Sequence, residues 1–161
     1  MVQRLDEGMQ SLAEVIKKTT GKDITNYPGA GAARGMGGGL LAFFNAELKP
    51  GTELLLKAID FSEKIKGADL IITGEGKADR QTAMGKVPYR ILKEAQKEHI
   101  PVIVLAGSIE NLPELNKAGF KGIFSIVPGP ITLEKAMEPE FAKENITRLV
   151  SQLYSVITSF G

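Results

Sequence analysis

The sequence predicts an α/β fold: a Rossmann-like, parallel three-layer unit in the C-terminal part, preceded by a helical, glycine-rich segment of a second domain. Three observations carry this expectation. Short apolar runs at Leu70 to Thr73, Val102 to Leu105 and Gly122 to Val127 are bounded by turn residues and read as buried strands. Amphipathic stretches of helical period follow each of them. Strands that alternate with helices in this way form parallel sheets with helices on the faces. Before Gly67 the strand pattern is missing, so the domain boundary is expected there, dividing residues 1–67 from residues 68–161.

Taken in order, Val2, Leu5, Met9, Leu12 and Ile16 recur at spacings of three and four and predict a first helix with this face packed in a core. Gly21 supplies its stop. Six of the eighteen glycines then fall between Gly29 and Gly39. That is too many for an ordinary helix, where each glycine costs about 1 kcal/mol relative to alanine. Two readings stand side by side: an anion cradle of backbone N–H groups at a helix N-terminus, and a flexible connection or close helix crossing. A dinucleotide fingerprint at Gly29, Gly31 and Gly35 lacks the strand before it and the acidic residue that should follow about twenty residues later.

Lys49-Pro50-Gly51 is a turn, and Thr52 is placed to cap a helix carrying Leu55, Leu56 and Ile59. Ser62 begins a short turn that ends at Gly67. Pro88 to Glu98 reads as a helix burying Ile91, Leu92 and Ala95. Asn111 caps a short helix with Pro113 near its start and Gly119 at its end. The last helix is expected to bury Ala142, Ile146, Leu149, Val150, Leu153 and Ile157.

Composition excludes several functions. Twenty basic and nineteen acidic residues give a net charge of +1, so nothing asks for nucleic acid or an anionic membrane. No apolar run is long enough to span a bilayer and no secretory leader is evident. Cysteine is absent, which removes disulfides, thiolate metal sites and cysteine nucleophiles and fits a reducing cytosol. The single histidine, His99, lies at the predicted end of a helix, where a solvated, cap-adjacent role is expected.

The chemistry concentrates in the stretch Thr73 to Lys86, expected as a polar loop between a strand and a helix. In open α/β sheets such loops hold the ligand, outside the carboxyl ends of the strands. Gly74, Gly76 and Gly85 let backbone approach a ligand; Lys77, Arg80 and Lys86 offer charge to phosphate oxygens, and Thr82 a hydroxyl. Glu75 and Asp79 suit a magnesium ion, directly or through water, and Asp79 alternatively suits the proton of an attacking hydroxyl. The competing reading is that both carboxylates merely pair with Lys77 and Arg80 on a wet surface. The stretch is not a Walker A loop, because Arg80 stands at its first glycine position and Val87 follows Lys86.

These residues also carry a resemblance. Pro28 to Ala33 with Gly35-Met36-Gly37, Ala68 to Gly76 with Asp79, Gln81-Thr82, Gly85-Lys86 and Pro88, and Pro101 to Ser108 together resemble the bacterial-type (class I) glycerate kinase family, over nearly the whole chain. The resemblance implies ATP-dependent phosphorylation of D-glycerate with Mg2+ in the cytoplasm, two α/β domains and a cleft between them. In that reading the residues chosen for their chemistry are expected to divide the work, Asp79, Glu75 and Lys86 taking catalytic parts, with Glu75 and Asp79 on the metal. Gly29, Gly31, Gly35, Gly37, Gly74, Gly76, Lys77, Arg80, Thr82 and Gly85 are expected to bind substrate or phosphate. Residues 1–67 then belong to the substrate-side domain. Arg34 departs from the family, which commonly has glycine there, and Lys77 replaces a common arginine.

Family members are more than twice this length, so the chain is expected to correspond to their C-terminal portion, with residues 68–161 an incomplete sheet unit. Such a unit exposes an apolar edge, and the expectation is a homodimer through that edge or a smaller sheet. With half a cleft, no kinase activity is expected of this chain alone. The alternative class is a non-catalytic nucleotide- or phosphometabolite-binding module.

Overall fold

The computed structural model describes residues 2–159. The chain separates into two compact units, Met1–Leu54 and Leu55–Gly161.

The first unit is built from α1 (Val2–Thr20) and α2 (Met36–Phe44), followed by the start of α3 (Gly51–Ala58). Gly21, in the left-handed region, stops α1 as its pattern predicts, with its N–H on the Lys17 carbonyl. The face of α1 that is buried is narrower than expected: Ala13 and Ile16 are in the core, whereas Leu5 and Leu12 are exposed. The side chain of Val2 lies outside the described residues. Ile24, Leu41 and Ala42 complete this small core.

The glycines of the predicted segment enter α2 itself, where the sequence left a cradle at the helix N-terminus and a close crossing both open. A Cβ on Gly37 would lie 2.3 Å from the Gly29 carbonyl oxygen, and one on Gly38 would lie 2.8 Å from Ile24 Cδ1. Only hydrogen at Gly37 lets the helix approach the backbone of the turn before it, and that packing outweighs the propensity cost. At its other end, α2 is closed by Lys22, whose Nζ donates to the Leu41 and Ala42 carbonyls and to Asn45 Oδ1. A cation on the last carbonyls of a helix is favourable.

The second unit contains the rest of α3, α4 (Phe61–Lys64), β1 (Ile71–Ala78), α5 (Val87–Lys97), β2 (Val102–Ile109), α6 (Leu112–Ala118), β3 (Gly122–Ser125), α7 (Leu133–Ala136) and α8 (Pro139–Thr158). The strands form a parallel sheet in the order β1-β2-β3, with Thr73 opposite Val104 and Leu105 opposite Phe124. This is the mixed α/β architecture that the alternation predicts. Its core gathers Val102, Val104 and Ala106 of β2, Ala78 of β1, Leu92 and Ala95 of α5, and Leu115 of α6. Ile65, just past α4, is buried in the same cluster and Phe61 packs against it. The division therefore falls within α3 rather than at Gly67.

Several local details differ from the sequence reading. Thr52 lies inside α3 instead of capping it, and the Pro50 carbonyl takes the first N–H groups. Asn111 holds the position before α6, but its side chain makes no cap bond. The stripe on α8 is the larger correction: Ile146 and Ile157 are exposed, and Leu149, Val150 and Leu153 only partly covered. Asn145 is the one buried residue of α8, its amide donating to the Phe141 carbonyl at 2.8 Å and its Oδ1 accepting from Arg148.

Candidate active site

The stretch expected as a loop is half strand. β1 continues through Thr73, Gly74, Glu75, Gly76 and Lys77 to Ala78, in register with β2 at every one of these positions but Gly76. The glycines serve the sheet: Gly74 faces the Leu105 carbonyl oxygen, 3.3 Å from where a Cβ would sit. A Cβ on Gly107 would lie 2.8 Å from the Gly76 oxygen. The loop proper is Asp79 to Lys86, folded around a 3-10 turn at Thr82–Met84 and closed by Gly85 at φ 131, a conformation glycine alone adopts readily. Pro88 then opens α5 at its first turn, where a missing N–H costs nothing.

Within this turn, Asp79 and Thr82 hold each other. Asp79 Oδ1 accepts from the N–H groups of Gln81 at 2.9 Å and Thr82 at 3.3 Å. Thr82 Oγ1 accepts the Asp79 N–H at 3.0 Å, and Thr82 is fully buried. Thr82 therefore orients the aspartate. Its hydroxyl is engaged inside the protein rather than offered to a phosphate.

Lys86 gathers the remaining charge. Its Nζ lies 3.0 Å from Asp79 Oδ1 and 3.5 Å from Glu75 Oε2, and it donates to the Lys77 carbonyl oxygen at 3.3 Å. Glu75 is inside, with 11 % of its side chain exposed, and its Oε1 is buried without a hydrogen-bond partner. The Lys86 ammonium beside Asp79 holds that carboxyl below the usual carboxylate range, helped by the Thr82 and Gln81 N–H groups and opposed by partial burial. The same bond to Asp79 raises Lys86 above the ordinary lysine range, burial opposing and the Glu75 charge adding.

The wet-surface pairing with Lys77 and Arg80 does not form. Lys77 reaches Glu110 at 2.7 Å, and Arg80 is exposed. Glu110 escaped the sequence reading, although it follows the end of β2 just as Asp79 follows the end of β1, and its N–H bonds the Ala78 carbonyl. Arg90 of α5 was also missed; its Nε is buried without a partner. His99 is exposed, in the left-handed conformation just past α5, as expected of a cap-adjacent residue.

The first unit gives the glycine segment a different character. The first-turn N–H groups of α2 are already taken: Met36 by the Ala33 carbonyl, Gly37 by Ala32, Gly38 by Ala30 and Gly39 by Gly35. An open cradle of N–H groups is therefore not present, and close approach explains Gly37. Gly29 lies against Leu48. Gly31 and Gly35, with Met9, Ile24 and Asn26, line a cavity of about 340 Å³ beside α1. Ala33, Arg34 and Gly35 are successively left-handed, at φ 49, 59 and 92.

The fold and this cluster define a class: parallel α/β proteins that present charged groups at the carboxyl end of a strand. The family follows from comparison with known proteins. The model of the glycerate kinase family matches residues 1–158, and the chain belongs to that family. It is 43% identical over 138 residues to a glycerate kinase of Halalkalibacterium halodurans, covering 85% of this chain and 36% of that protein. It is 41% identical over 149 residues to the glycerate 2-kinase of Escherichia coli K12, covering 92% and 39% respectively. A solved structure named glycerate kinase 2, from Salmonella typhimurium LT2, superposes with a TM-score of 0.72 at 34% identity, over 98% of this chain and 40% of that one. The chain thus spans about two-fifths of the length of the relatives it matches.

Proposed function

We propose that this chain supplies the Glu75–Asp79–Lys86 wall of a glycerate kinase site, in which ATP phosphorylates D-glycerate to a phosphoglycerate in the cytoplasm. The observation that carries the reading is the convergence of Lys86 Nζ on the Asp79 and Glu75 carboxylates at the carboxyl end of β1. Among the described residues no group of three or more His, Cys, Asp or Glu is placed to hold a metal. Two carboxylates still fit Mg2+, which draws its other ligands from water and substrate phosphates. The buried, unpartnered Glu75 Oε1 is the kind of oxygen a hard cation satisfies. Bound there, Mg2+ would neutralise charge on the phosphates.

In this reading Asp79, held by Thr82 and the turn, orients the metal or takes the proton of the attacking hydroxyl. Lys86 supplies charge to the transferred phosphoryl group, and Lys77 and Arg80 lie at the rim. Gly31 and Gly35 open the cavity of the first unit to substrate. Catalysis of this kind rests on positioning and electrostatics, which two walls provide better than one.

The test is ligand-induced stabilisation. ADP with Mg2+ is expected to raise the melting temperature of the chain, NAD(P) is not, and Asp79→Asn is expected to abolish the shift. A shift by NAD(P) alone, or an ADP shift unchanged in Asp79→Asn, would overturn the assignment. We extend the proposal to the sheet edge at β1, which pairs with β2 on one side only, as the surface of a homodimer. A monomer by light scattering would refute that extension.

A further inference from the structure

Lys86 stands where a cation would stand. Its Nζ is surrounded by three oxygens from separate groups: the Asp79 carboxylate at 3.0 Å, the Lys77 backbone carbonyl at 3.3 Å and the Glu75 carboxylate at 3.5 Å. An all-oxygen set of carboxylates and a backbone carbonyl is the donor chemistry of hard divalent ions. The ammonium satisfies this set incompletely, since Glu75 Oε1 stays buried with no donor. Two carboxylates facing one lysine also leave a net negative charge.

The lysine is built to leave. A lysine is a point charge on a flexible stem and makes no bidentate fork that would lock it to either carboxylate. Lys86 keeps 34% of its side chain exposed, which gives the ammonium a path to water. The carboxylates cannot follow as easily: Glu75 is on a paired strand, and Asp79 is tied by the N–H groups of Gln81 and Thr82. The oxygens are held by the fold, whereas the ammonium among them is held only by its contacts with those oxygens.

We infer that Lys86 is the resting counter-ion of the Glu75–Asp79 pair, and that a divalent cation exchanges with it, freeing the ammonium for an anionic ligand. The exchange rests on the metal assignment proposed above, but it makes a separate demand: lysine and metal compete for the same oxygens. Removal of Lys86 therefore strengthens metal binding in the absence of nucleotide. A lysine that stayed beside the bound metal would keep its contacts with both carboxylates, and its acylation rate would not rise on metal binding.

The experiment is Mn2+ binding to the 161-residue chain, read by electron paramagnetic resonance without nucleotide or glycerate. Lys86→Met, checked for folding by circular dichroism, is expected to bind Mn2+ at least about tenfold more tightly than wild type. Glu75→Gln added to Lys86→Met is expected to remove the gain. Equal or weaker binding by Lys86→Met overturns the inference. Should that variant not fold, wild type answers the same question through acylation of Lys86 by an amine reagent, followed by mass spectrometry. Saturating Mn2+ is expected to accelerate acylation, and an unchanged or slower rate overturns the exchange. Neither readout involves ADP or turnover, so failure of the kinase reading would appear in the ADP shift alone.

Discussion

Thr82→Val isolates the hydrogen bond that fixes Asp79. Thr82 has no exposed surface, and valine matches its shape while deleting the hydroxyl. The loss leaves the Asp79 N–H, bonded to Oγ1 at 3.0 Å, without its acceptor. An orphaned donor costs about 1–3 kcal/mol when buried and toward the lower end at this part-buried N–H, against little change in packing. Thr82→Ser keeps the hydroxyl and deletes one buried methyl, for about 1 kcal/mol. The assay is hydrogen exchange of the Val104 amide, in the middle of β2, which reports unfolding of the sheet unit without relying on the other unit. Valine is expected to be the more damaging substitution. If Thr82→Val loses less than about 0.5 kcal/mol, or less than the serine variant, Thr82 acts as packing and the orientation of Asp79 needs another cause.

Other outcomes follow from the same geometry. Gly37→Ala is expected to cost the first unit about 1–3 kcal/mol in urea unfolding, because its Cβ meets backbone at 2.3 Å. Gly39→Ala, in the same helix with nothing within 4 Å, is expected to gain up to about 1 kcal/mol. Arg34→Gly, at φ 59, is expected to stabilise by about 1 kcal/mol or less, the relief of left-handed strain partly offset by chain entropy. Lys86→Met is expected to raise the Asp79 midpoint in a carboxylate NMR titration, since Lys86 is the first cause of its depression. Because the folded value of Asp79 is lowered, its contribution to stability is present above the ordinary aspartate range. That contribution is lost as pH falls through the depressed value, and the loss should weaken in Lys86→Met.

The sheet was legible because its signal is local. Val102 to Leu105 and the period of Pro88 to Glu98 announce a buried strand and a half-buried helix whatever surrounds them. The extent of β1 was hidden because Gly74 and Gly76 are poor strand formers in isolation. Pairing with β2 overrides that preference, and Gly107 lets the two backbones meet. The three residues of the cluster were identified from their types, but their partners were not. Lys77 and Arg80 are nearer Glu75 and Asp79 in sequence than Lys86 is, yet the turn at Thr82–Met84 brings Lys86 back over both carboxylates. On α8, period alone marks an apolar face without saying what covers it, so Ile146 and Ile157 were misplaced in the core. Gly37 and Gly38 carried a backbone signal, and only geometry distinguishes close packing from an open cradle.

Asp79 is proposed as part of a phosphoryl-transfer site, and the most direct measurement of that role is formation of phosphoglycerate from ATP and D-glycerate. The chain alone is expected to show no turnover. Supplied with the part of the Escherichia coli glycerate 2-kinase that it does not match, it is expected to gain Mg2+-dependent activity, which Asp79→Asn lowers by at least about a hundredfold. Activity in the supplemented mixture that is indifferent to Asp79→Asn would contradict the account.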